Sequence, residues 1–365
     1  MADNKALRIL YACNQPPGYG GASTESYEAI KKLRELGCHV TGLFIVGSAA
    51  ETERCDPDRI GNVQTMLWRG NYDDPLPCRC QAYDLLVAKN YLAPHFFRRE
   101  TNKPRVYITA GIDHVSHLKR PAIEVDERLP ADCHDVRAFQ VADHVIVHST
   151  IDLLLYERCL PRSLLKKIHR DIVYTPNIAA RQLDQRNLIP YGQRSYDLLF
   201  SASNWQRPMK NGALMRELCA HYRNARKIVV CGEEARATAA TTVGLVPHRT
   251  MIDLLKQTKV VVIPSLYDPS PNLYAEAIWA GCNVVINRSV GNGEFHPPEL
   301  IAPEVSLAGY RAALEHALAL ERQAMYRTPS PQWAARQLYD CLHSIHNLHR
   351  RDAGHGINKN FRLRA

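Results

Sequence analysis

Short, nearly unbroken runs of valine, isoleucine and leucine recur along the whole chain, with helical stretches between them. In the first half they fall at 7–12, 39–46, 84–88, 105–110, 144–148 and 171–174, and helices are expected over 22–36 and 150–160. In the second half they fall at 197–201, 227–231, 243–246, 259–263 and 283–287, separated by expected helices at 210–223, 248–258 and 272–280. A strand with one wet face alternates apolar and polar residues, whereas a strand covered on both faces does not. Runs such as KVVVI and NVVIN therefore predict parallel strands sandwiched between helices. The rhythm pauses at the turn-rich NLIPYGQRSYD and then restarts. The expectation is an α/β chain of two doubly wound, Rossmann-like parallel-sheet domains facing across a cleft. Residues 1–186 form the first domain, 187–197 the linker and 198–328 the second. Two further helices are expected at 305–323 and 331–349, with Pro329 and Pro331 breaking the path between them. The terminal helix, 329–349, is free to pack back on the first domain, and 350–365 is a basic tail.

The length of 365 residues suits two domains. No run of about 18 uncharged apolar residues exists, so no membrane-spanning helix is expected. The start, MADNKALRILYA, does not read as a signal peptide, and a cytoplasmic protein is expected. The 11 cysteines are odd in number and irregularly spaced. Cys13, Cys38, Cys231 and Cys282 sit in apolar context and read as small buried hydrophobes. Cys78 and Cys80 are too close for a CxxC metal knuckle. The formal net charge is +9. Residues 1–180 carry 23 basic and 22 acidic groups, so +8 of the charge lies in the second half, where an anionic ligand is expected.

Three constellations carry chemistry. In the first, Gly18, Gly20 and Gly21 precede an expected helix, an arrangement whose free amides suit phosphate. Ser23 stands where a dinucleotide fingerprint needs its third glycine, and no GK[ST] follows, so a tight structural turn is an equal reading. In the second, the strand DLLFSAS runs into NWQRPMKN, placing Arg207 and Lys210 where a strand hands over to a helix. Two cations there can neutralise a diphosphate, and a solvated helix cap is the other reading. The third is VVVIPSLYDPSPNLYAEAIWAGCNVVIN, in which Asp268 occupies a loop and Glu276 an otherwise apolar helix, both at the carboxyl edge of a parallel sheet. A carboxylate between Ala275 and Ala277 needs polar partners, which sugar or ribose hydroxyls can supply.

Taken together, these segments resemble the GT-B glycosyltransferases, and most of all the retaining glycosyltransferase family 4. That family carries an E-x7-E signature after a strand and PS; here it stands as Asp268-x7-Glu276 between Pro264–Ser265 and Ala280–Gly281. The resemblance runs in order from about residue 7 to 345. It implies that Glu276 holds the donor ribose, that Asp268 touches the transferred sugar, and that Lys210 and Arg207 bind the diphosphate. Gly20 and Gly21 would close over the phosphates from the first domain. The family's histidine near the transferred sugar is assigned to His114, with His117 as the other choice. The chain departs from the family in having Asp for the first Glu, and Pro269-Ser270-Pro271 where G-F-G is usual. Proline has no N–H, leaving the amides of Ser270, Asn272 and Leu273 for the donor.

Two motifs are set aside. Asp56-Pro57-Asp58 does not follow a buried strand as a metal-binding DxD does, and HPPE at 296–299 lacks a second ligand at metal spacing. No metal is expected, and no cofactor beyond a nucleoside diphosphate sugar as co-substrate. The implied reaction is a metal-independent, hexosyltransferase-type transfer from a UDP- or GDP-sugar to a hydroxyl acceptor on a glycan, lipid or small molecule, with retention. The alternatives are a nucleotide-sugar epimerase of the same fold and a non-catalytic GT-B binding or scaffold homologue. No nucleic-acid partner is expected. The segment RCLPRSLLKKIHR, 158–170, has five Lys or Arg and no acid, so peripheral contact with an anionic inner membrane face stands beside a bland reading in which its leucines pack inward.

Overall fold

The computed structural model describes residues 6–14, 21–47, 63–67, 76, 78–168, 188–237 and 240–354. Strand 171–174, the DxD-like triplet at 56–58, Gly18 and Gly20, and residues 355–365 of the tail lie outside the described residues.

Among the described residues, two six-stranded parallel sheets form the frame. The first contains β1 (Arg8–Cys13), β2 (His39–Val46), β3 (Val63–Leu67), β4 (Leu85–Lys89), β5 (Arg105–Ile108) and β6 (His144–Ile146), in the order β3-β2-β1-β4-β5-β6. The second contains β7 (Tyr196–Asn204), β8 (Ile228–Glu233), β9 (Thr241–Val243), β10 (Thr258–Val262), β11 (Asn283–Asn287) and β12 (Ile301–Ala302), in the order β12-β11-β10-β7-β8-β9. Counted from its own first strand, the second sheet repeats the order of the first. Each reverses direction beside its first strand, between β1 and β4 and between β7 and β10. That reversal opens a crevice at the carboxyl ends, the usual ligand position in such sheets.

The apolar runs become central strands because both faces are covered. Leu198, Phe200, Val260 and Val262 point into one cluster, and Leu199, Val261, Val284 and Ile286 into another on the opposite side. Two strands escape the sequence reading. β3 is an edge strand of mixed composition, VQTML, and β12 is only two residues long. The strand expected at 243–246 is found at Thr241–Val243, since Gly244 and Pro247 suit an edge strand's exit.

The first-domain helices are α1 (Gly21–Glu35), α2 (Asp113–Ser116), α3 (His134–Val141), α4 (Thr150–Cys159) and α5 (Arg162–Leu165). In the second half come α6 (Gly212–Tyr222), α7 (His248–Lys256), α8 (Asn272–Trp279), α9 (Leu307–Ala319) and α10 (Pro331–Gly354). The stretch 188–194 is fastened to the second domain by buried Arg194, which donates to Thr258 O at 2.7 Å and Ala280 O at 3.0 Å.

Between α9 and α10 the chain leaves the helical path. Ala324 N–H donates to Asn283 Oδ1, and Tyr326 OH accepts from Val284 N–H. Pro331 then opens α10, where its missing N–H costs nothing, while Ser330 Oγ accepts from Trp333 N–H at 3.1 Å. Leu338, Leu342 and Ile345, spaced four and three apart, join Leu7, Ile9, Ala29, Ile30 and Leu33 in one buried cluster. The helix α10 thus packs back on the first domain.

Candidate active site

Between the carboxyl edges of the two sheets lies a cavity of about 400 Å³, within the roughly 300–1,000 Å³ usual for small-molecule sites. Its second-domain wall is built from three chain segments. Pro208–Lys210 forms a tight turn after β7, and Asn211 follows at φ 55°. Asparagine is among the few residues that tolerate this left-handed conformation. Its side chain accepts from Leu214 N–H to cap α6 and donates to Pro264 O at 3.1 Å. Leu266 N–H donates to Met209 O at 2.8 Å, so the lysine loop and the Asp268 loop are tied together.

Lys210 Nζ consequently sits 2.5 Å from Asp268 Oδ2, with both side chains mostly buried. Arg207 lines the same cavity, its guanidinium 3.2 Å from Met209 Sδ. The loop beneath is held by residues that sequence reasoning missed. Tyr310 OH donates to Ile263 O, Asn287 Nδ2 donates to Ser265 O, and Gly291 N–H donates to Asp268 O at 2.8 Å. A Cβ on Gly291 would lie 1.6 Å from Pro269 O, so the backbones approach there as only glycine allows. The run SVGNG was the available signal.

Ser270, Asn272 and Leu273 line the cavity at the start of α8. First-turn amides have no partner within their own helix and face the positive end of its dipole. One turn on, Glu276 lines the cavity and its Oε1 is 3.2 Å from His248 Nε2. His248 opens α7, and the sequence reading did not single it out. The signal was a proline–histidine pair beginning a helix after a strand.

The first-domain wall comprises Gly21, Ala22 and Glu25 of α1, Asn90 and Tyr91 after β4, Ala110, Gly111, Asp113 and Ser116 around α2, and His148 after β6. Asn272 Nδ2 donates to Gly21 O at 3.4 Å across the cleft. His114 is not brought to this cavity. On α2 the residues three apart, Asp113 and Ser116, share the cavity-facing side, and His114 is rotated about 100° away. The histidine that does line it is His148, which is 4% exposed.

His148 Nε2 contacts Lys89 Nζ, and Lys89 in turn donates to Glu25 Oε1 at 2.8 Å. Lys89 is wholly buried. Burial pushes the Glu25 carboxyl up and the Lys89 ammonium down, each partner opposing the other's shift. Behind α2, Asp135 accepts the N–H groups of Asp113 and His114, and burial pushes its carboxyl up to about 7.

The basic segment beginning at 158 is built inward. Leu160 is fully buried, and Leu164 and Leu165 pack against the same cluster. Lys167 Nζ donates to Phe139 O, Gln140 O and Ala142 O, spending its charge on the end of α3. Arg158, Arg162 and Lys166 remain exposed.

No protein-family profile matches the chain, and no curated protein sequence matches it. Solved structures do. A sucrose-phosphate synthase from Thermosynechococcus elongatus superposes with a TM-score of 0.62 at 16% identity, covering 96% of this chain and 100% of that one. A glycosyltransferase from Rickettsia africae gives 0.60 at 12% identity, covering 93% and 99%. Anabaena HepE, solved in complex with UDP-glucose, gives 0.58 at 13% identity, covering 95% and 99%. The fold is GT-B. In this GT-B chain the cavity occupies the interdomain cleft, with Lys210, Asp268, Glu276 and the start of α8 on one wall and α1, α2 and His148 on the other.

Proposed function

We propose that the protein is a glycosyltransferase that moves a sugar from a nucleoside diphosphate sugar, of the UDP or GDP type, to a hydroxyl acceptor with retention, as the resemblance to family 4 implies. The observation that carries this reading is the convergence of Arg207, Lys210, Asp268, the α8 amides and Glu276 on a single interdomain cavity. The HepE structure holds UDP-glucose, which supports the same class of donor.

In this reading Glu276 accepts from the ribose hydroxyls. Lys210, Arg207 and the amides of Ser270, Asn272 and Leu273 meet the diphosphate. As the bond from the anomeric carbon to the phosphate oxygen breaks, charge grows on the leaving group, where preorganised donors act most strongly. Asp268 orients the sugar. The acceptor enters along the wall of Glu25, Asp113, Ser116 and His148, and its oxygen bonds to the anomeric carbon on the face the diphosphate leaves. Its proton passes to the departing phosphate oxygen. These steps use only protein side chains, amides and the two substrates, in a cytoplasmic enzyme without metal or further cofactor. The acceptor wall favours transfer over epimerisation, which needs no second substrate. Among the described residues of that segment, membrane contact would be carried by Arg158, Arg162 and Lys166.

The test is a thermal-shift panel of UDP, GDP, ADP and dTDP sugars. A ligand at 100 times its Kd adds about 2.7 kcal/mol. Stabilisation by one of these sugars, followed by its consumption with a hydroxyl acceptor, is the expected result. No shift with any of them overturns the reading.

A further inference from the structure

Tyr267 belongs by sequence to the second domain, one residue before Asp268, yet its ring lies in the core of the first. It is 1% exposed and clusters with Tyr107, Ile112, Val115, Phe139 and Tyr156. Its hydroxyl donates to Asp152 Oδ1 at 2.5 Å and accepts from Ile112 N–H at 2.8 Å. Asp152 is itself fully buried on α4, and its other oxygen accepts from Thr109 at 3.3 Å. A phenylalanine would fill the same space with no hydroxyl to satisfy, whereas a buried phenol must find partners. Here both partners come from the opposite domain.

The contact extends along the chain on either side. Leu266 O accepts from Ala122 N–H at 2.8 Å, and Ser289 Oγ accepts from Ile123 N–H at 3.0 Å. Gly111 is at φ +96°, and a Cβ there would come 3.1 Å from Pro269 Cγ and 3.3 Å from the Tyr267 hydroxyl. Ile112 caps α2, whose Asp113 and Ser116 line the cleft. One phenol therefore joins the loop that carries Asp268 to the loop that forms the facing wall. Among the described residues the cleft is also bridged by Asn272 and Gly21 at 3.4 Å and by Thr150, which donates to Glu294 at 2.8 Å, both pairs exposed.

We infer that Tyr267 is a positioning residue, pinning the Asp268 loop to the first-domain wall so that the domains turn about this contact and the transfer point keeps its register while the remaining cleft opens. It borders the cavity, but its hydroxyl is taken up by Asp152 and Ile112, so it acts through the Asp268 loop. Its effect is to hold Asp268 against the acceptor wall and keep water from taking the acceptor's place. The chemical part rests on the glycosyltransferase reading; the pin rests on the contacts alone.

The test uses the full chain and Tyr267→Phe, which keeps the ring and removes the hydroxyl, with Asp152→Asn and the double variant beside it. UDP affinity is read by calorimetry, turnover of the donor sugar found in the thermal panel is divided into transfer and hydrolysis, and small-angle scattering is recorded with and without UDP. Tyr267→Phe should bind UDP within about twofold of wild type, lose transfer about tenfold, and send a larger share of donor to hydrolysis. Without UDP its scattering should report a more open particle. The double variant should resemble Tyr267→Phe, not the sum of the single effects. A lowered Tm with unchanged partition and unchanged scattering is the signature of a merely structural phenol and overturns the inference. If the wild type turns over no sugar donor, the functional reading fails, and scattering alone still decides the pin: no difference between variant and wild type overturns it.

Discussion

Lys210 Nζ lies 2.5 Å from Asp268 Oδ2, so the cation proposed for the diphosphate is already paired with the carboxylate proposed for the sugar. Donor entry must exchange this contact for one with phosphate. Removing the carboxylate charge frees the lysine. Asp268→Asn should therefore bind free UDP or GDP as tightly as wild type or several-fold tighter, while transfer falls at least about tenfold. Lys210→Ala should lose about 1.5–3 kcal/mol of nucleotide binding, the worth of a charge-assisted hydrogen bond. Calorimetry on both variants decides: equal losses in the two would show that the roles are misassigned.

Glu276 and His248 form the second pair, at 3.2 Å. If Glu276 accepts from the ribose, Glu276→Ala should weaken nucleotide binding about tenfold, and 2′-deoxy nucleotide should then bind the variant nearly as well as the ribonucleotide. His248 is more exposed, so His248→Ala should cost less, about threefold. A variant at Glu276 that still discriminates ribose from deoxyribose would remove the assignment.

Asp135 supplies a pH prediction. Its carboxyl titrates near 7 in the folded chain because burial outweighs the two N–H groups it accepts, against about 3.9 when unfolded. Between these values the folded state holds a proton that the unfolded state has released, so this group's stabilising contribution is full below about pH 4 and is lost as pH rises towards 7. Asp152, pushed up to about 6 by burial, acts in the same direction. Asp135→Asn should thus gain a few kcal/mol relative to wild type on going from pH 4.5 to pH 8. Denaturation melts at the two pH values check it; a constant difference contradicts it.

Lys167 separates a structural cation from a surface one. It donates to three carbonyls at the end of α3, whereas neighbouring Lys166 is exposed. Lys167→Gln should cost about 1 kcal/mol of stability and Lys166→Gln close to nothing. Flotation with anionic vesicles reads the other role: binding that depends on Lys166 and Arg162 and disappears at high salt supports membrane contact. Absence of binding at low salt rules it out.

The apolar runs were legible because a doubly covered strand leaves an unmistakable pattern, and 10 of the described strands answer to expected runs: β1, β2 and β4 to β6 in the first sheet, β7 to β11 in the second, with β9 displaced towards its N-terminal side. β3 and β12 were not, since an edge strand needs little apolar content and a two-residue strand carries no period. Arg207, Lys210, Asp268 and Glu276 were legible as cavity residues because they sit at fixed offsets from strand ends, and those offsets translate into positions on the carboxyl edge. His114 was placed by the same reasoning and missed. Its neighbours at helical spacing turn inward, and which face of a four-residue helix meets a cavity depends on what packs behind it, here Asp135.

By itself, then, the sequence determined the two parallel sheets, the helix–strand alternation and the loops from which the second-domain wall is built. These follow from local periodicity and chain order. Tertiary structure alone decided that Lys210 pairs with Asp268, that Glu276 faces His248, that His148 is set against Lys89 and Glu25, and that Tyr267 crosses into the other domain. Each joins residues between 28 and 155 positions apart. No propensity or spacing encodes such meetings, which arise only when the burial of both sheets fixes where their carboxyl edges face.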